Sequence, residues 1–318
     1  MPRPAPLAGD RRLIVPLAGA AICAVGLAAV GVLAFHGAHD RDAAMLHGLT
    51  GLYGSRVDTE IRTMARLADP MPYALLGTAC IAVALVRRRP ARAWAVGVLL
   101  VGTGVTTHAL KHLLAEPRYA DWLRFRGQVE AVSWPSGHGT AAMTLALCAV
   151  LVSAPAWRAG VALVGLACTV ALAFATLALA WHYPSDVCAG FLVAGLWVAL
   201  AIAVLRHVEA GPPEPAPPPG FWWLVGLGAA GALGAAAAAG AGAERITLYP
   251  AERTTTVIGS LALAALAVVI VAGTVILAST PGDGPGVPSR PELEPGATAG
   301  QQARSARGAS SRRGRVRA

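Results

Sequence analysis

Lysine is almost missing from this chain. Of 26 basic residues in 318, only Lys111 is lysine and the rest are arginine. A sequence that writes arginine nearly everywhere has singled out one position. Charge of any kind is scarce: 14% Asp, Glu, Lys and Arg, against 55% hydrophobic residues and a mean hydropathy of +0.57. Soluble domains carry about 25% charged residues, so a soluble globular fold is excluded and a polytopic membrane protein is expected. The apolar blocks lack period-two alternation, which excludes a barrel. Lipid offers backbone groups no hydrogen-bond partners, so the blocks must be helices. Cysteine is limited to Cys23, Cys80, Cys148, Cys168 and Cys188, all in or beside apolar blocks and none in a CxxC pair. They are read as small packing residues in helices.

What remains is a run of apolar blocks of about 17–25 residues, each long enough to cross a hydrocarbon core of ~30 Å. The expected fold class is all-α, a membrane helical bundle with eight spans: 13–35, 70–86, 93–114, 137–154, 159–181, 184–205, 221–243 and 256–279. The first is read as a retained helix rather than a cleaved signal. Residues 1–12 form a cytoplasmic N-terminus and 13–207 a six-helix core. Residues 208–220 are a proline-rich linker, 221–280 hold two further spans, and 281–318 are a disordered basic tail. Residues 36–69 are polar and include a short surface helix.

The net charge of +9 would point to nucleic acid in a soluble protein. Here the arginines flank the spans or lie in the tail, so topology and anionic headgroups account for them and no nucleic-acid partner is expected. The denser short-loop arginine makes both termini cytoplasmic. Tryptophans 94, 134, 157, 181, 222 and 223 lie near span ends, as interfacial residues do.

Three polar islands then fall together on the extracytoplasmic face. The central one is Pro135-Ser136-Gly137-His138. A helix opening at Ser136-Gly137 points unpaired N–H groups and a positive dipole end at an anion. Gly137 allows close approach, Ser136 adds a hydroxyl, and His138 stands in the first turn. The second island brings Lys111 and Arg118, a point charge and a planar fork suited to phosphate oxygens. The third brings His182 with Asp186 one helical turn on, placed to accept the Nδ1–H of His182 and leave Nε2 nucleophilic. Together they form a complete phosphoryl-transfer set. His182 attacks phosphorus, Asp186 orients it, and His138 protonates the leaving oxygen and then activates water. Lys111, Arg118, Ser136 and the Gly137 amide neutralise the phosphoryl oxygens. No metal or cofactor is required. His108 and His112 have metal-ligand spacing, but no glutamate base lies between them and Lys111 repels a cation.

The order Lys-x6-Arg, Pro-Ser-Gly-His, His-x3-Asp resembles the type 2 phosphatidic acid phosphatase (PAP2) superfamily over roughly residues 13–207. The resemblance implies a six-helix membrane core, a metal-independent phosphatase with the roles just given, and lipid phosphate or diphosphate substrates. Polyprenyl diphosphate, phosphatidylglycerol phosphate and phosphatidic acid all fit that description. The arginine-rich, alanine-rich composition points to a bacterial plasma membrane. The chain departs from the family's pattern after Arg118, where Tyr119 replaces proline. It departs again in the third motif, where Ala175 and Thr176 replace serine and arginine six to seven residues before His182. Thr176 can still donate one hydrogen bond, and Arg124 or Arg126 could stand in for the missing cation. The alternative is a PAP2-like protein that binds or moves lipid phosphates without turnover.

Overall fold

The computed structural model describes residues 11–37, 39–50, 58–115, 132–209 and 250–279. Among them there is no strand; the chain is an all-α helical bundle. The helices are α1 (Arg11–Val32, continued by a π-helical turn, Leu33–Gly37), α2 (His39–Leu49), α3 (Asp58–Ala65), α4 (Pro70–Val86), α5 (Pro90–Leu113), α6 (Gly137–Val152), α7 (Pro155–Ala178), α8 (Pro184–Val208) and α9 (Pro250–Ser279). The expected span 221–243, the linker at 210–220, the tail, and Arg118, Arg124 and Arg126 lie outside the described residues.

Among the described residues five helices begin with proline at the first position, Pro70, Pro90, Pro155, Pro184 and Pro250. Proline's missing N–H is one the helix could not use there, and its fixed φ suits the first turn. This moves the starts of α5 and α7 back to Pro90 and Pro155, ahead of the expected 93 and 159. Helix α7 ends at Ala178, three residues before the expected 181. Ala180 takes φ 53, its N–H donates to Leu177 C=O, and the Trp181 N–H donates to Thr176 C=O. That is a Schellman closure, with alanine where glycine is usual. Helix α4 closes the same way around Arg88, φ 55.

Among the described residues, five helical segments are long and apolar enough to cross a membrane: Leu13–His36, Pro90–Leu113, Pro155–Ala178, Pro184–Val208 and Thr254–Ser279. The expected span 70–86 reaches that standard only together with Thr59–Ala68, across a 50° bend. Helix α6, with 16 residues, rises about 24 Å, shorter than the expected span. It is the central helix, packed against α4, α5, α7, α8 and α9. Its hydrophobic-all-round sequence is that of a helix enclosed by protein.

Residues 36–69 depart from the single surface helix expected of them. They form α2 and α3, and α2 is buried on one face: Leu46 is 0% exposed, and the helix packs on α9, α7 and α8. The arginines at the far end also do more than mark topology. Arg158 is 1% exposed and donates to Ala278 C=O at 3.1 Å and Ser279 Oγ at 3.0 Å. Arg206 donates to Leu277 C=O at 2.7 Å, and Arg92 to Leu151 C=O at 3.1 Å. These carbonyls close α9 and α6, where the last C=O groups of a helix have no N–H donors of their own and its dipole end is negative. Trp134 is likewise not an interfacial residue. It is 3% exposed and meets Phe35 edge to face at 5.8 Å. Trp94 and Trp157 are exposed, as the interfacial reading requires.

Helix α8 lies flush on the opening turn of α6. A Cβ added at Gly190 would come within 2.7 Å of Ser136 O and 2.9 Å of Thr140 N. Both are backbone atoms and cannot rotate away. Gly190→Ala is therefore expected to cost about 1–3 kcal/mol, read as a drop of several degrees in the thermal midpoint of the detergent-solubilised protein. An unchanged midpoint would show that this crossing has slack.

Candidate active site

At one end of the bundle, opposite Arg92, Arg158 and Arg206, a cavity of about 740 Å³ opens. Its wall takes residues from α3, α4, α5, the 132–133 segment, the first turn of α6 and the α7–α8 turn. Lys111, Gly137, His138 and His182 all line it, so members of all three polar islands share one space. The rings of His138 and His182 are 5.9 Å apart, centre to centre.

Local bonding explains the convergence. Ser136 caps α6, its Oγ accepting the Gly139 N–H at 3.0 Å. The Ser136 N–H donates to the Asp186 C=O at 2.8 Å, which ties the central island directly to the third. Asp186 is 0% exposed and its Oδ2 accepts the Tyr183 N–H at 2.9 Å, closing a capping box on α8. The same oxygen stands 3.5 Å from His182 Nδ1. That is ion-pair range but outside hydrogen-bond geometry, and Nδ1 is buried with no hydrogen-bond partner. From α2, Asp42 accepts the Ser185 N–H at 3.0 Å, so a second carboxylate braces the same turn.

The remaining expected site residues are placed as follows. Lys111 Nζ donates to Val132 C=O at 2.7 Å and Ser133 C=O at 3.3 Å, holding the approach to Pro135 against the cavity. Ser136 is buried in its cap and does not line the space. Thr176 is also buried, and its hydroxyl donates to Ala173 C=O within its own helix at 2.8 Å; it too lies off the cavity wall. His108 lines the cavity and stacks edge-on with the exposed His112 at 4.4 Å.

Two residues of the wall carry chemistry that no sequence motif marked. Asp69, the residue before α4, places Oδ1 3.3 Å from His138 Nε2. Arg62, on α3, faces the same space. Asp69 precedes the proline that opens a helix, a signal that reads as an ordinary helix start. Only its distance to His138 makes it a candidate partner. Its carboxylate fixes the imidazole orientation. Asp69→Asn is expected to slow hydrolysis of an alkyl phosphate by about tenfold, a fraction of what a positioned acid contributes. Hydrolysis of a nitrophenyl ester, whose leaving group needs little protonation, should change far less. Equal losses on both substrates would assign Asp69 a structural role.

Residues 92–209 match the family model of the PAP2 superfamily, whose members are generally phosphatases acting on phosphate esters. Comparison with curated proteins and with solved structures returned no match.

Proposed function

We propose, from the PAP2-superfamily match of residues 92–209 and the site it encloses, that this protein is a metal-independent membrane lipid phosphatase. It removes phosphate from a lipid phosphomonoester or diphosphate through a phosphohistidine. The observation that carries the reading is the meeting of His138 and His182 across one cavity that also holds Lys111 and the amide end of α6. In this mechanism Nε2 of His182 attacks phosphorus in line with the leaving oxygen. Asp186 stabilises the imidazolium from the Nδ1 side. His138, braced by Asp69, gives a proton to the leaving lipid alcohol or phosphate. It then takes one from the water that splits the phosphohistidine. Lys111, the Gly137 amide and Arg118 carry the oxygen charge.

Sidedness follows from charge. The cavity lies at the end of the bundle away from the arginine-rich turns, so the positive-inside rule makes it extracytoplasmic with both termini inside. A plasma-membrane enzyme so placed would act on envelope lipid carriers or glycerophospholipids: polyprenyl diphosphate, phosphatidylglycerol phosphate or phosphatidic acid.

One observation favours the non-catalytic alternative, a binder or mover of lipid phosphates. Threonine at 176 brings no charge and its hydroxyl bonds its own helix, so the third motif supplies the cavity neither a cation nor a donor. Both readings are tested together by phosphate release from mixed micelles of each lipid, with radiolabelled protein quenched in alkali and in acid. Release accompanied by protein-bound phosphate that survives alkali and is lost in acid supports the phosphatase. Release without it overturns the covalent route. Binding of the lipids with no release supports the alternative.

A further inference from the structure

The third motif has lost its arginine, yet the cavity has not lost a guanidinium. Position 175, serine in the family's pattern, is alanine here, and it is buried against Ala65 and Leu179, flanked by Ile61 and Trp181. Helix α3 therefore docks on the end of α7 at the very place where the motif departs from its pattern. A small residue at 175 leaves room for that docking, since Ala65, 0% exposed, shares one buried cluster with Ala175 and Leu179. Arg62 stands three residues before Ala65, on the neighbouring position of the same helical face. It lines the cavity together with His138 and His182. Among the described residues it is the only arginine in that wall.

We propose that Arg62 supplies, from α3, the cationic clamp that Thr176 cannot: its fork takes two oxygens of the transferring phosphoryl group. This rests on the phosphatase reading above but does not share all of its consequences, since a clamp acts on bound phosphate whether or not turnover follows. The expected substitution pattern is specific. Arg62→Ala lowers kcat/KM for lipid phosphate by about 10²-fold, the loss typical of one charged donor in such a site, and weakens inhibition by orthovanadate by a similar factor. Arg62→Lys, a point charge without the fork, falls between. Added guanidinium restores part of the Arg62→Ala rate. Arg66→Ala, one helical turn on and exposed, leaves rate and inhibition unchanged. Ala175→Leu, which lifts α3 from α7, reproduces the Arg62→Ala loss.

The experiment is phosphate release and vanadate inhibition by the full-length protein in detergent, with thermal midpoints for every variant. Arg62→Ala at the wild-type rate and vanadate affinity overturns the clamp while leaving the phosphatase reading intact. A slowed Arg62→Ala that guanidinium does not rescue, with a lowered midpoint, assigns Arg62 a structural role and also overturns it. If the wild type releases nothing from any lipid, direct binding of inorganic phosphate decides. Weaker binding by Arg62→Ala sustains the clamp in a phosphate-binding protein, and equal binding ends it.

Discussion

His182→Ala is expected to abolish phosphate release, by on the order of 10⁴-fold or more, while leaving the protein as stable as before. The two halves of that expectation come from the same atom. His182 is 6% exposed, and its Nδ1 is buried without a hydrogen-bond partner. A buried polar atom left without a hydrogen bond costs roughly 1–3 kcal/mol, and the Asp186 carboxylate, 3.5 Å away and outside hydrogen-bond geometry, offsets only part of it, so the fold gains little from an imidazole there. The turn does not need it either: Tyr183 N–H, Ser136 N–H and Ser185 N–H are all bonded without it. A buried polar side chain that contributes so little to the fold is placed for chemistry. Removing it should leave the thermal midpoint unchanged or slightly raised, and free imidazole should restore a little of the rate by entering the vacated space. Phosphate release that survives the substitution would remove His182 as nucleophile. A sharp fall in midpoint would show that the ring is structural.

The route from sequence to this site was legible in some residues and closed in others, for physical reasons. Pro135 to His138 and His182 to Asp186 announced themselves because polar residues are costly in an apolar chain and so stand out against it. The direct bond from Ser136 N–H to Asp186 C=O is the contact those islands implied and no spacing could reveal. Asp69 and Arg62 were invisible for the opposite reason. They lie in the polar stretch 36–69, where charged residues are common and none is conspicuous. That stretch reads as surface, yet Leu46 and Ala65 are fully buried. Its hydrophobic positions are spread over two short helices, each too brief to show a clear period. Thr176 could be seen to break the motif. Only the hydroxyl's bond to Ala173 shows that it offers the cavity no substitute. The α7–α8 turn was misread by three residues because its closure uses alanine in the left-handed region, where a sequence reader looks for glycine.

His138→Ala should separate the two chemical steps that His182→Ala destroys together. In the proposed cycle one imidazole serves twice, as acid toward the leaving oxygen and as base toward water. A lipid alkoxide is a poor leaving group, so without the acid the first step fails, and release from a lipid phosphate should drop by about 10²–10⁴-fold. A nitrophenyl ester leaves unaided, so His182 should still be phosphorylated by it. The second step has no such escape, because water needs the base whatever the first leaving group was. With the activated ester the variant should therefore release close to one equivalent of nitrophenol per protein and then stop, holding phosphate that alkali does not remove and acid does. The wild type should turn over continuously and hold little. Both rings line one cavity with their centres 5.9 Å apart, so the two imidazoles can address the same phosphoryl group, which this division of labour requires. Steady turnover of the nitrophenyl ester by His138→Ala would mean that another base activates water. Asp69, 3.3 Å from Nε2 of the intact ring, would then be the first group to replace, and the double variant His138→Ala with Asp69→Asn should restore the arrest.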